Sequence, residues 1–280
     1  MGNSFPLDMW DANSFVAVPG VPKRIIVIEN VARMTSRPFE FSVYPECDAG
    51  DYSRRDCTVA FYTRIDALLP KDAVVLNLGA GRGANITQDY SPFRRKLQRF
   101  KGRVSRVVGI DIDSAVKENP DLDEAHVVSF GDKYPIADQS VDIVVSDHVI
   151  EHVADPSEFS EEIGRVLKPG GWFCARTPTK WGYIGLGARL IPDKIHVRLL
   201  QTLQPSREAE DVFPKEYRLN TFSALKEHFP RTSWDHCSYG YNGVPSYHAN
   251  RRILFRLIEA WCWIMPESHS AKMHIFLRKR

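Results

Sequence analysis

Nothing in this sequence is apolar for long enough to cross a bilayer as a helix. Cysteine is scarce and scattered. Its five copies, Cys47, Cys57, Cys174, Cys237 and Cys262, are odd in number and never spaced C-x-x-C. That excludes a disulfide framework and argues for reduced, mostly buried thiols. The opening Met1–Pro6 has no apolar h-region, which argues against a secretory signal, and Pro6 stands where N-myristoylation wants Ser or Thr. An excess of either charge is also missing. With 37 basic and 35 acidic residues the formal charge is +2, which gives no global reason to expect nucleic acid or an anionic membrane as a partner. No internal repeat and no low-complexity tract appears. These absences leave a cytoplasmic globular protein as the expectation, and 280 residues at 43% hydrophobic are enough for one large core.

What is present is an order of short signals from Ala73 to Pro178. An apolar run, Val74-Val75-Leu76, enters the glycine turn Gly79-Ala80-Gly81-Arg82-Gly83. A second run, Val107-Val108-Gly109-Ile110, ends in Asp111. A third, Val141 to Val145, meets Ser146-Asp147-His148, and Leu167-Lys168-Pro169-Gly170-Gly171 precedes a fourth, Trp172–Arg176. β-branched runs alternating with longer amphipathic segments predict parallel strands joined by helices. Glycines after the first strand let backbone approach a ligand closely at the sheet's carboxyl edge. Gly79, Gly81 and Ala84 also fit the dinucleotide fingerprint, so a nicotinamide-dependent oxidoreductase stays as the alternative, although that fingerprint wants an acid about twenty residues on.

In that order the four signals resemble the class I S-adenosylmethionine-dependent methyltransferases, in the type 11-like branch that modifies small molecules. The resemblance implies a Rossmann-like seven-stranded, mostly parallel sheet with helices on both faces and the last strand antiparallel. It implies S-adenosyl-L-methionine as cofactor, bound by Asn77, Gly79, Gly81, Gly83, Asp111, Ile112, Gly131, Asp132 and Ser146. Asp111 takes the ribose hydroxyls in preference to Asp113, and Ser129-Phe130-Gly131-Asp132 falls where the family places an acid near the adenine amino group. Asn77 departs from the pattern: the family usually carries an acid there, and Asn lacks the charge that favours the methionine ammonium. A non-catalytic cofactor-binding domain is a further alternative.

The acceptor is expected to be a small molecule or saccharide methylated on oxygen by in-line displacement, with no metal. A hydroxyl acceptor must lose a proton, for which His148 and, in reserve, His196 are the candidate bases. His148-Val149-Ile150-Glu151-His152 also spells H-x-x-E-H, a zinc signature when the two histidines share a helix face. The methyltransferase context argues against zinc and leaves His152 as a buried structural residue. The expected organisation is an N-terminal arm (1–57), a cofactor-binding core (58–178), an acceptor-side insertion or lid (179–231) and closing elements (232–280). Arg54–Leu69 and Arg251–Ile264 read as helices, and Ser233–Tyr241 and Lys272–Leu277 as strands. The basic run Arg94–Arg103 reads as a solvated helix face. Arg251–Ile264, basic then apolar, packs as core or rests on a membrane.

Overall fold

The computed structural model describes residues 37–129, 131–190 and 215–280, and Glu40–Arg280 forms one compact unit. Its centre is a sheet in the order β3-β2-β1-β4-β5-β8-β6, with β7 also paired to β8. The strands are β1 (Val74–Leu78), β2 (Arg106–Asp111), β3 (Glu124–Val127), β4 (Val141–Asp147), β5 (Leu167–Pro178), β6 (Trp234–His236), β7 (Tyr239–Tyr241) and β8 (Lys272–Lys279). β1 to β5 are parallel, and β8 runs antiparallel to β5. β6 and β7 pair with opposite ends of β8, so they are two halves of one strand interrupted at Cys237-Ser238. Counted that way the sheet has the expected seven strands with one antiparallel.

Burial explains the architecture. Alternate residues of each strand point to opposite faces. Val75, Val107, Ile143, Val145, Cys174 and Phe276 enter one core, with Phe61 and Ile65 of helix α1 (Cys57–Leu68) and Leu97 of α3 (Pro92–Gln98). Leu76, Val108, Ile110, Val144, Phe173 and Leu277 enter the other. There they meet Phe159 and Ile163 of α4 (Pro156–Val166) and Leu225 of α6 (Phe222–His228). Both faces are covered, as a parallel sheet requires.

Local chemistry moves several expected boundaries. α1 starts at Cys57 because the Asp56 side chain accepts the Val59 N–H as its N-cap. The segment after the glycine turn divides into a single turn, α2 (Ala84–Thr87), and α3, which Ser91 caps and Pro92 begins. Lys168-Pro169-Gly170-Gly171 does not separate helix from strand. It bulges within β5, which pairs at Val141↔Leu167 and resumes at Ile143↔Trp172. Gly170 has φ 80°, and a Cβ on Gly171 would lie 2.9 Å from the Asp142 carbonyl, so glycine is needed to fold the bulge back on β4.

The basic run Arg94–Arg103 carries its own acids. Arg94 pairs with Asp56 and Asp89, Arg103 with Asp66 and Arg99 with Asp121. The remaining helices are α5 (Tyr183–Leu190) and α7 (Arg252–Ile264). α7 buries Phe255 and Cys262, and its Glu259 takes the Tyr44 hydroxyl at 2.6 Å and Arg55 at 2.9 Å.

Gly109 tests the packing between the sheet and the β2–β3 connection. A Cβ there would stand 2.2 Å from Leu122 Cδ1. Gly109→Ala is expected to destabilise the fold by about 1–3 kcal/mol through overpacking. Thermal unfolding reads this directly, and an unchanged midpoint would mean that Leu122 yields without cost.

Candidate functional site

The carboxyl ends of β1, β2 and β4 open on a cavity of about 1060 Å³. Its volume is at the top of the range for small-molecule sites, enough for two ligands side by side. Gly79, Gly81, Asp111, Ile112, Gly131, Asp132 and His148 line it. Asn77, Gly83 and Ser146 do not: Asn77 is half-buried within β1, Gly83 caps α2, and Ser146 is fully buried with an unpartnered hydroxyl. His196 lies outside the described residues, as does Phe130.

The glycine turn is held from two sides. Gly79, Gly81 and Gly83 have φ of 73°, 49° and 77°, the left-handed region. Gly79 N–H and Ala80 N–H donate to the Ile110 carbonyl, and Gly81 N–H donates to Asp111 Oδ2 at 2.8 Å. Asn119 Nδ2 donates to the Ala80 and Gly81 carbonyls from the far side. A side chain on Gly79 would strike Val149, whereas one on Gly81 meets nothing within 4 Å. The cavity therefore keeps open space over the turn at Gly81.

Asp111 ends β2 with Oδ1 accepting the Asp113 N–H at 2.9 Å. Asp113 instead caps the following 3₁₀ turn, Ser114–Glu118, by accepting the Ala115 N–H. A carboxylate has about four acceptor sites, so Asp111, holding the glycine turn through Gly81, retains capacity for ligand hydroxyls. Asp132 takes the Ser129 N–H at 2.9 Å, closing the turn beside Val128 on the cavity wall.

On the other side of the cavity a buried ion pair closes the sheet edge. Arg176 Nε donates to Asp147 Oδ1 at 2.8 Å, Nη2 bonds Oδ2, and the Tyr62 hydroxyl donates to Oδ2 at 3.2 Å. Burial alone would raise the Asp147 carboxyl; the guanidinium overcomes it and holds the group well below the usual carboxylate range. Asp147 and Arg176 are register partners of β4 and β5. His148 follows at φ 61°, with its N–H fixed on the Arg176 carbonyl at 2.8 Å. That conformation is uncommon outside glycine and concentrates at functional sites.

From there a directional chain of hydrogen bonds runs inward. Asn220 Nδ2 donates to Thr177 Oγ1 at 2.6 Å, and Thr177 donates to Glu151 Oε2 at 2.7 Å. His148 Nδ1 meets Glu151 Oε1 at 3.1 Å, and Lys272 Nζ meets His148 Nε2 at 3.1 Å. Glu151 is almost wholly buried, and His148 and Thr177 keep it ionised against desolvation. Desolvation at the cavity wall, and after it the Lys272 ammonium, push the His148 imidazole below its ordinary value, against the pull of Glu151 and Asp147, with 40% of the side chain still exposed. Between an acceptor carboxylate and a donor ammonium, the uncharged ring that satisfies both carries Nδ1–H on Glu151 and presents Nε2 to Lys272.

Two readings of the histidine motif are corrected. His148–His152 is no helix: a left-handed residue is followed by the 3₁₀ turn Ile150–His152, which does not put both rings on one helical face. His152 is half-buried and lines the cavity, rather than being enclosed in the core. Sequence reasoning passed over Asp147, Arg176, Tyr62 and Lys272 as a set. An arginine inside the apolar strand Phe173-Cys174-Ala175 was the available signal, since a buried guanidinium requires an acid in reach.

Residues 76–175 match the methyltransferase domain family. The chain is 33% identical over 117 residues to a probable S-adenosylmethionine-dependent methyltransferase of Mycolicibacterium smegmatis, a match over 39% of each protein. It is 28% identical over 177 residues to a dimethylglycine N-methyltransferase of Parasynechococcus marenigrum, covering 59% of this chain and 58% of that one. The chain thus spans between about two-fifths and three-fifths of these relatives' lengths. The crystal structure of a S-adenosylmethionine-dependent methyltransferase from Archaeoglobus fulgidus covers 81% of this chain and 95% of its own, at TM-score 0.48 and 16% identity. The family match sets aside the nicotinamide reading of the glycine turn.

The wall fits a nucleoside sulfonium cofactor: open backbone at Gly81, an acceptor-rich carboxylate at Asp111, and apolar Ile112 and Val128 beside it. Asp111→Ala is expected to weaken S-adenosylhomocysteine binding by about 1.5–3 kcal/mol, the range for losing hydrogen bonds to a charged partner. Asp113→Ala should cost much less. Titration calorimetry of both variants decides between them, and equal losses would remove Asp111 from the ribose position.

Proposed function

We propose that this chain, whose residues 76–175 match the methyltransferase domain family, is a class I S-adenosylmethionine-dependent methyltransferase that methylates a hydroxyl of a small or saccharide-type acceptor with His148 as general base. The observation that carries this reading is His148 on the cavity wall, with Nδ1 on Glu151 and Nε2 on Lys272. Bound S-adenosylmethionine supplies a methyl carbon already activated by its sulfonium. The residues assigned to hold it are Gly79, Gly81, Asp111, Ile112, Gly131 and Asp132, with Asn77, Gly83 and Ser146 shaping the strand ends behind them. The protein's own work is then alignment, exclusion of water and removal of one proton.

The acceptor enters beside His148, Lys272 and Tyr217. With the acceptor hydroxyl beside it, His148 Nε2 would take the hydroxyl proton, and the imidazolium formed would be stabilised by Glu151 through Nδ1–H. Lys272, displaced from the lone pair by the acceptor, remains close enough to offset charge on the acceptor oxygen. The proposed insertion 179–231 supplies the acceptor side: its described residues Ile184, Lys215 and Tyr217 line the cavity, and the Glu216 and Tyr217 N–H groups both donate to the Glu151 carbonyl. His196 stays the reserve base within that insertion.

His148→Ala should depress kcat by about 10²-fold or more with cofactor affinity nearly unchanged. The acid limb of kcat should lie below the ordinary imidazole range, because burial and Lys272 disfavour the protonated ring. Removing the ammonium favours protonation, so Lys272→Met should move that limb to higher pH. Release of S-adenosylhomocysteine against a metabolite panel, followed across pH, reads all three. Full turnover in His148→Ala would sink the general-base role and point to an acceptor, such as a tertiary amine, that loses no proton.

A further inference from the structure

Helix α7 is amphipathic in the wrong direction for a core helix. Its buried face is narrow: Phe255 and Cys262 sit in the core, and Glu259 turns in toward Tyr44 and Arg55. Its outer face is apolar. Trp263 is 88% exposed, Ile253 79%, Ile264 68%, Leu257 63% and Trp261 39%. At 3.6 residues per turn, Ile253, Leu257, Trp261 and Ile264 fall within roughly 80° of arc, directly opposite the Phe255–Cys262 face. A soluble helix places charge there.

The charges that α7 does carry flank this stripe and are of one sign. Arg252 and Arg256 lie along one edge beside Trp263, and Arg251 caps the start. The helix's single acid, Glu259, is spent inward on Tyr44, Arg55 and Arg256. Two tryptophans and long aliphatic side chains, with Arg251 and Arg252 at the start, form the composition of a helix that lies in a bilayer interface. No described helix is long and apolar enough to cross a membrane. A second copy of this chain is the poorer occupant, because antiparallel pairing about Leu257 would bring Arg256 against its own counterpart.

We propose that the outer face of α7 docks on an anionic membrane surface, with Ile253, Leu257, Trp261, Trp263 and Ile264 in the acyl boundary and Arg251 and Arg252 on lipid phosphates. This face communicates with the cavity. The Cys262 carbonyl accepts Asn242 Nδ2 at 2.8 Å, and the chain that follows Asn242 reaches Ser246 and Tyr247 on the cavity wall. Ser246 N–H donates to the Tyr183 hydroxyl at 2.9 Å, so α5 braces the same edge. Docking through α7 would hold that edge of the cavity toward the lipid.

The test is co-sedimentation of the full chain with vesicles of phosphatidylcholine alone or mixed with phosphatidylglycerol, with tryptophan emission followed in parallel. Binding is expected to the mixed vesicles, to weaken with salt, and to shift the emission to shorter wavelength. The exposed-site variant Leu257→Ser/Trp263→Ser should lower the partition coefficient by about tenfold or more while unfolding at the wild-type temperature. Arg251→Gln/Arg252→Gln should reduce the preference for the anionic lipid. The proposal is overturned by absence of binding to either vesicle, by binding that ignores the apolar variant, or by a salt-stable dimer that the apolar variant dissolves.

Discussion

The pairing of Asp147 with Arg176 is the constraint on which the acceptor side of the molecule rests. Two adjacent parallel strands end there with opposite charges in register, Arg176 buried and Asp147 reaching the cavity wall. Leaving one without the other costs about 3–5 kcal/mol in a buried setting. The guanidinium is therefore surrounded by groups that suit it. It bonds Thr58 at 3.0 Å and lies 5.5 Å from the Phe61 ring centroid, so α1 is clamped to the sheet edge by polar and cation–π contacts together. Its carbonyl then fixes the left-handed His148. Strand pairing, helix docking and the aim of one imidazole follow from a single ion pair.

The opposite wall is organised without a paired charge. Asp111 binds backbone N–H groups, and Asn119 grips the glycine turn by its carbonyls from behind. The turn has no room for side chains at its ends, because a Cβ on Gly79 would stand 2.1 Å from Val149 Cγ2 and one on Gly83 2.7 Å from Asn119 Oδ1. A ligand meeting this wall finds its donors and acceptors in place, so little ordering entropy is lost on binding. Val149 lies between the two walls in sequence, directly after His148, which couples the packing of the glycine turn to the strained residue.

The sequence made the sheet legible because its strands are near-continuous β-branched runs ended by glycine or acid, and those ends carry the site. Asp111 stood out from Asp113 by its place at the end of the run Val107-Val108-Gly109-Ile110, the pattern of the family it resembles. Other features were hidden for physical reasons. Lys168–Gly171 has the composition of a turn, and only its backbone pairing to β4 makes it a bulge. His148–His152 has helical spacing, yet the left-handed His148 is fixed through its N–H by the Arg176 carbonyl, far along the chain, which no local pattern reveals. Lys272 reaches the imidazole because β8 is inserted antiparallel beside β5, a contact between residues 124 positions apart. The inward Glu259 likewise could not be told from an outward one, and it decides how α7 faces solvent.

The hydrogen-bond chain at His148 admits one arrangement of protons. Lys272 has donors and no lone pair, and the ionised Glu151 has lone pairs and no donor. The imidazole between them must donate through Nδ1 and accept through Nε2; the other tautomer would set an N–H against the ammonium. Asp147 and Glu151 contribute two negative charges, and Arg176 and Lys272 two positive ones, so the floor of the cavity is neutral with the ring uncharged. Asp147 is held ionised by Arg176 and Glu151 by its donors. In this cluster the histidine is the group whose charge is left free to change, and it stands on the cavity wall.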